Sequence, residues 1–501
     1  MGWWSRLVGS APELPPVEAP ASVRAYEGAS TGRRFSDWQA GSKSANAEVS
    51  LGAKQLRERS RDLVRNNAYA VAALRALTTN IVGEGIVPRC VGPFPELSQR
   101  ADQLWRAWAP QASAVLPIGV YGLQTLMVRS WLESGEVILR RRLRRVEDGL
   151  AVPLQVQILE ADQLDGSREE VLGDSGARIV QGVEFDAIER IVAYWLLRSH
   201  PGESTIGLRS LGNTSIRVSS SDVAHLFEPT RPGQTRGVPW LTPGMRRFRE
   251  LDSYEDAELM RKRVEACVSA FVTSDEAEEE GIAAKVTDSD GNVLETLEPG
   301  TVAYLRGGKT ITFNSPSTVG GYADFKRAEI QSIAVAAGLT YELVSGDLSR
   351  VNYSSIRAGL IEFRRLVRNL RTNFVIPMAC DPMWRWFIEA GIASGALPLP
   401  AGKTAAEVYP VRWGAARFEE VDRAKEAKAD LEELTSGVAT YPEILARRGE
   451  DWIEVLDEHV RFKAEAEARG LSFPFMAPAP APAMDEEDPD SDDSSESEVP
   501  P

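Results

Sequence analysis

The segment between Thr242 and Gly338 constrains the fold more than any other. Thr242-Pro243 opens a helix, because threonine caps well and proline is favoured at the first helical position. The helix runs to about residue 271. Its middle carries Glu250, Asp252, Glu255, Asp256, Glu258, Arg261, Lys262, Arg263 and Glu265. That density leaves a thin apolar stripe, so the helix either stands in solvent or packs against copies of itself. Residues 273–321 then read as a β insert, with a turn signal at Asp290-Gly291 and strand-like runs at 302–305 and 310–313. Residues 322–337 are helical again, carry Phe325, Ile330, Ile333 and Val335, and end at Gly338, a natural C-terminal cap.

The rest of the chain has an ordinary globular balance. It has 501 residues, 43% apolar and 26% charged, which is enough to bury a core and suggests about three domains. A helix is predicted over 51–80, where Leu56, Leu63, Val64, Leu74 and Leu77 recur at helical spacing. Further helices are predicted over 97–109 and 122–134. From Glu136 to Phe227 the period shortens. Leu154, Val156 and Ile158 alternate with Gln155 and Gln157, and Ile179, Val183, Ile191, Ala193, Trp195, Ile216, Val218 and Leu226 continue in short runs. This is a β-rich stretch of hairpins, and the fold class is α+β.

Ser354 or Ser355 caps the clearest amphipathic helix, in which Ile356, Leu360, Phe363, Val367, Leu370 and Phe374 form one seam and Pro377 is the stop. Two more helices are predicted over 419–434 and 441–469. Residues 1–50 read as a Pro- and Ala-rich flexible arm, and 471–501 as a disordered Pro/Ala and acidic tail.

Charge and motif content exclude several chemistries. The net charge is −16, and nine of those negative charges lie within 485–498, where no base occurs, leaving −7 for the remainder. The body lacks the basic footprint of a general nucleic-acid binder. Cys90, Cys267 and Cys380 are far apart, so neither a disulfide framework nor a cysteine zinc site is predicted. Gly308-Lys309-Thr310 and Gly402-Lys403-Thr404 lack the first glycine of a phosphate loop, having Ala303 and Leu397 there. His200, His225 and His459 read as turn, packed and surface residues. No catalytic residue, cofactor or metal ligand is nominated, and no membrane span or signal peptide is read. The block Arg140, Arg141, Arg142, Arg144 and Arg145 can contact phosphate or form a solvated or intersubunit face.

Several segments in order resemble the lambda-type family of tailed-phage portal proteins, over roughly residues 23–470. They are Leu56-Arg57-Glu58-Arg59-Ser60-Arg61-Asp62-Leu63-Val64-Arg65-Asn66-Asn67 with Asn80-Ile81-Val82-Gly83-Glu84-Gly85-Ile86, and Ile158-Leu159-Glu160-Ala161-Asp162-Gln163-Leu164. Next comes His225-Leu226-Phe227 with Arg231-Pro232-Gly233-Gln234-Thr235-Arg236-Gly237-Val238-Pro239. The last is Gly338-Leu339-Thr340-Tyr341-Glu342 with Asp347-Leu348-Ser349 and Asn352-Tyr353-Ser354-Ser355-Ile356-Arg357. None is diagnostic alone; their order is the signal.

The resemblance implies a non-enzymatic ring, usually of twelve copies, at one capsid vertex of the virion, made in the host cytoplasm. Double-stranded DNA would pass through it without sequence readout during packaging and ejection. Its implied partners are the terminase large subunit, head-completion or adaptor proteins, and capsid and scaffold proteins. By analogy, 51–242 form a wing, 243–272 and 322–337 two stem helices, 273–321 a clip, 338–354 a tunnel loop, 355–415 a tunnel helix returning to the wing, and 416–470 a crown. The channel residues implied are Ser345, Gly346, Asp347, Leu348, Ser349, Arg350, Val351, Asn352 and Tyr353. A net negative subunit repeated around such a ring would weakly repel phosphate and let DNA slide. Other readings are a different phage head protein, or a phage DNA-processing enzyme.

Overall fold

The computed structural model describes residues 33, 36–37 and 40–473, apart from 174–175, 204–213, 267–269, 274–284, 288–292, 296–309, 314–320, 415–417, 419–422, 448–451 and 472. The N-terminal arm up to residue 32, the turn at Asp290-Gly291, the run 302–305 and most of the tail lie outside these residues.

Where the periodicity predicts one helix over 51–80, the chain forms two, α1 (Ala45–Asn66) and α2 (Ala68–Val82). Asn67 divides them. Its backbone is extended, and its side-chain oxygen accepts from the Tyr69 and Ala70 amides, so it caps α2. The apolar period runs through the break because α2 continues to bury Leu74, Leu77 and Ile81. Helices α3 (Pro95–Trp108) and α4 (Val120–Ser134) form where predicted.

The β-rich region makes two antiparallel sheets. The first has the order β3-β2-β9, from β2 (Glu136–Leu143), β3 (Leu154–Glu160) and β9 (Val223–Phe227). The second is a meander of β4 (Glu170–Leu172), β5 (Ala177–Val180), β6 (Val183–Phe185), β7 (Ile191–Leu196) and β8 (Ile216–Ser219). The first sheet buries both faces at one end. Val137, Leu139, Leu154 and Val156 join the main core with the helices, whereas Ile138 and Leu159 join a second cluster with Val183, Tyr194 and Leu196. The predicted alternation therefore holds for Leu154 and Val156 and gives way at Leu159, where the second sheet supplies an apolar partner for the opposite face.

The other elements close the main core. Strand β1 (Val87–Cys90) pairs antiparallel with β14 (Val411–Gly414), joining the first and last parts of the core. Helix α5 (Met245–Ala266) contributes Phe248 and Leu251 to the core, and α6 (Tyr322–Ala337) contributes Ile330 and Ile333. The short α7 (Tyr341–Ser345) leads to α8 (Tyr353–Leu370), whose seam buries Phe363, Val367 and Leu370. Pro377 does not stop this helix. A π-helical stretch, Arg371–Cys380, carries the proline inside it and passes directly into α9 (Asp381–Ala393). The wider turn relieves the clash a proline ring makes with the carbonyl four residues earlier. Trp105 and Trp108 of α3 stack against Trp384 and Phe387 of α9, with ring centroids 5.0–5.5 Å apart. Beyond the one-turn α10 (Ala405–Val408) come α11 (Arg423–Thr435), α12 (Tyr441–Arg447) and α13 (Trp452–Ala468), so the single helix predicted over 441–469 is two. Among the described residues no helix is long and apolar enough to cross a membrane.

A buried ion cluster fastens α1, both sheets and the loop after β9 together. Glu136 at the start of β2 is fully buried. Its carboxylate accepts from Arg236 Nε at 2.8 and 3.0 Å, from the Gly237 amide at 3.0 Å, and lies 3.0 Å from His225 Nε2. Arg236 also donates to the Gln181 and Ala161 carbonyls. Arg57 of α1 lies 3.8 Å from Glu136 and 3.4 Å from Asp162, and Arg61 binds Asp162 at 2.6 Å. Burial pushes the Glu136 carboxyl up, but the guanidinium of Arg236 and the ring of His225 pull it further the other way, so it lies well below the usual carboxylate range. Gln181 shows what the cluster demands of its surroundings. It takes a left-handed conformation (φ 49°) in the two-residue turn between β5 and β6, while its carbonyl serves Arg236 and its amide donates to Asn46 of α1.

Glu136→Ala leaves Arg236 buried without its carboxylate and is expected to cost about 3–5 kcal/mol in denaturant unfolding. The pH dependence follows from the depressed carboxyl. Its stabilisation is present above the unfolded glutamate pKa of about 4.3 and is lost as pH falls below it, so acid unfolding should begin there and its slope should be shallower in Glu136→Gln.

Candidate functional site

Helices α5 and α6 pair antiparallel. Arg247 meets Glu329 at 2.9 Å, Tyr254 packs on Phe325 and Tyr322, and Lys326 meets Glu255 at 2.6 Å. Among the described residues, the contacts of α5 with the body lie in its first half: Phe248 and Leu251 are buried, Asn67 donates to Asp252, and Tyr69 donates to Glu255. Further along, Leu259 and Met260 are half exposed, as the thin apolar stripe predicts. Thr242 does not cap the helix. It sits in a single 3-10 turn, Thr242–Gly244, and its hydroxyl donates to the Pro239 carbonyl.

Between α5 and α6 the described strands are β10 (Ala270–Thr273) with β13 (Thr310–Phe313), and β11 (Lys285–Thr287) with β12 (Val293–Glu295), both pairs antiparallel. The β10–β13 ladder brings the two ends of the insert together, so the segment leaves and re-enters the helix pair at one place.

The nine predicted channel residues divide into three groups. Ser345 is the last residue of α7, and Gly346 caps it at φ +70°. Asp347 folds back: its amide donates to the Ser345 hydroxyl, its carboxylate accepts from the Ser349 amide at 2.9 Å and the Tyr341 hydroxyl at 3.3 Å, and Arg327 lies 3.8 Å away. Hydrogen bonds from Ser349 hold this carboxyl below its ordinary range. Leu348, Ser349 and Arg350 are exposed. Asn352 belongs to the next helix. Its side-chain oxygen accepts from the Ser355 amide at 2.8 Å, so it, and not Ser354 or Ser355, caps α8. Tyr353 is the first residue of that helix. The loop proper is therefore 346–352, shorter than 338–354.

Two glycines bring the loop's roots together. A Cβ on Gly338, which ends α6 at φ +71°, would meet Leu366 of α8 at 2.6 Å, and one on Gly359 of α8 would meet the Thr340 methyl at 2.9 Å. The junction between α6 and α7 thus lies at closest approach to α8. Arg327 was not singled out by sequence. It stacks over Tyr341 at 4.6 Å while reaching Asp347, a role that no local pattern on α6 announces.

The histidines take the places predicted for two of them. His225 is buried against Glu136, and His200 accepts from the Gly202 amide in a turn. Glu160, Asp162 and His200 come within mutual ligand reach, but Arg61 binds both carboxylates at 2.7 and 2.6 Å and supplies their positive charge. The arginine block splits by strand face. Arg141 turns toward Glu389 at 2.7 Å and Asp222 at 3.8 Å, whereas Arg140, Arg142 and Arg144 lie on the opposite face.

Known proteins resemble this chain along most of its length. It is 27% identical over 478 residues to a probable portal protein of Halomonas phage phiHAP-1, covering 90% of this chain and 89% of that one. It is 23% identical over 512 residues to portal protein B of Escherichia phage lambda, covering 90% and 92%. Among solved structures, the neck of the native gene transfer agent particle computed with C12 symmetry aligns over 78% of this chain and 93% of its own, with 15% identity and a TM-score of 0.45. A family model described as phage portal protein, lambda family, matches residues 31–371. With the match running from the N-terminal helices through the sheets, the helix pair and its insert to the end of α8, the chain belongs to the lambda family of phage portal proteins.

Proposed function

We propose that the chain is the subunit of a ring, of twelve copies, at the unique capsid vertex, and that DNA is packaged and ejected through its axis. The observation that carries this reading is the α5–insert–α6 limb, rooted at one end and leading through α7 into an exposed loop. A helix pair with half-exposed Leu259 and Met260 gains by packing side by side with copies of itself in a closed heterologous ring. In this reading α5 and α6 are the stem, residues 273–321 are the clip on which the terminase large subunit and later the head-completion proteins dock, and α11 to α13 are the crown.

Loop 346–352 faces the channel. Leu348, Ser349 and Arg350 are its reaching side chains, and Asp347 is the internal strut that shapes it. Such a loop touches the DNA backbone without reading bases, because a single arginine among small polar side chains supplies charge and no base-edge pattern. The role is mechanical, and the energy of packaging comes from the docked motor.

Replacing Leu348, Ser349, Arg350 and Val351 by Gly/Ser, with Asn352 kept because removing this cap would cost about 1 kcal/mol, should leave ring assembly intact and lower packaged or retained DNA. Loss of the ring in negative-stain images would refute the channel role. Replacing 274–309 by a short linker, so that β10 and β13 still pair, should leave rings and abolish terminase binding in a pull-down. Undiminished binding would place the docking surface elsewhere.

A further inference from the structure

Among the described residues, three arginines on one face of β2 form no ion pair with a carboxylate, and only Arg140 feels one at longer range, Asp222. Arg140 and Arg142 point to the same side of the strand, and Arg144 continues the pleat because its amide still donates to the Pro153 carbonyl. All three are half-buried, and none forms an ion pair with a described carboxylate, unlike Arg141 on the opposite face. Neutral groups hold them in place instead. Arg142 donates through Nε and Nη2 to the Gln157 side-chain oxygen, at 2.8 and 2.5 Å. Arg144 Nε donates to the Gln155 side-chain oxygen at 2.8 Å. Gln155 is itself fixed, because its amide nitrogen donates to the Gln111 and Ser113 carbonyls. The acid nearest this face is Asp222, which pairs with Arg141 at 3.8 Å and also offsets part of the Arg140 charge. Burial and then their mutual repulsion lower the Arg142 guanidinium from its ordinary range, as expected of like charges aligned without a counterion.

The row is thus a preorganised set of cations about 6.8 Å apart, the repeat of alternate residues on a strand. It suits an extended polyanion with charges at the same interval. The sequence contains one. Glu486, Asp488, Asp490 and Asp492 repeat at every second position, and no Lys or Arg follows residue 484. In an extended chain these carboxylates share one side, also about 6.8 Å apart. About eighteen peptide steps link Ala468 at the end of α13 to Glu486, enough to span ~60 Å when extended. Being part of the same chain, the run meets the row at a high effective concentration. The partial burial of the guanidiniums favours a single peptide strand over a duplex, whose width keeps it to protruding cations.

We propose that the face of β2 carrying Arg140, Arg142 and Arg144 is the docking site of the chain's own acidic C-terminal run, with Glu486, Asp488, Asp490 and Asp492 in register with the arginines. The docked run neutralises the row and withholds it from other polyanions.

Arginine-specific modification with phenylglyoxal, read residue by residue by peptide mass spectrometry on the full-length chain, tests this. Arg246, whose side chain is 91% exposed, serves as the internal standard. At low salt, Arg140, Arg142 and Arg144 should react slowly. Their rates should rise roughly five-fold or more in about 0.5 M salt, and equally in the Glu486→Gln/Asp488→Asn/Asp490→Asn/Asp492→Asn chain. Neutralising Asp485, Glu487 and Asp493 instead should change them little, because those residues fall largely on the other side. These substitutions lie outside the described core, and an unchanged thermal melt checks the fold. Equal rates in the native and the alternate-neutralised chain would overturn the proposal. Protection that survives neutralisation and grows with protein concentration would assign the row to a contact with a second copy. Protection that appears only when duplex DNA is added would assign it to DNA. Either result overturns the assignment to the tail.

Discussion

The buried carboxylate of Glu136 is the interaction on which the arrangement of the body depends. A fully buried anion is costly unless every lone pair is used, and here Arg236, Gly237, His225 and Arg57 converge on it from β9, the loop after it and α1. Each of these elements has an apolar face that could pack in more than one register. The ion cluster admits only the register in which the donors meet the acceptor. Arg57 and Arg61 sit one helical turn apart on α1, so satisfying Asp162 and Glu136 together fixes the helix's rotation as well as its position.

That fixed frame is what lets the α5–α6 pair extend away from the body. Its root is held by polar contacts to α1–α2 through Asn67 and Tyr69 and by apolar contacts through Phe248 and Leu251. At the same end, where α6 finishes, the Trp240 indole donates to the Ala337 carbonyl, and the Gly338 and Gly359 contacts clamp the chain before and after loop 346–352. The loop is therefore an exposed feature on a stiff base, the arrangement in which a loop holds its shape while its tip remains accessible.

Much of this was legible in the sequence, and the exceptions have physical causes. The helix–insert–helix order, the thin stripe on α5, the seam of α8 and the strands of the β-rich region follow from local periodicity, because burial there follows one face. The break at Asn67 was hidden because both helices bury the same kind of face and the asparagine side chain supplies a cap where the pattern shows only one more polar residue. Pro377 misled because a stop rule assumes α-helical pitch, and the π-helical stretch changes it. The loop reads longer from sequence than it is because α7 is too short to show a period and because Asn352, not Ser354 or Ser355, caps α8. The Glu136 cluster joins residues roughly 80 to 180 positions apart, and Arg327 acts across from α6, so no window along the chain contains either arrangement. The family resemblance pointed to 345–353 as a unit, whereas the geometry separates a helix end, a strut and tip, and a cap.

The rooting of α5 at one end makes the limb a cantilever. A load applied at the insert acts through the part of the helix beyond Glu255, about 16 Å long, on the contacts made by Phe248, Leu251, Asn67, Tyr69 and Glu255. The polar contacts of Asp252 with Asn67 and of Glu255 with Tyr69 are consequently where a displacement of the limb meets the α1–α2 junction.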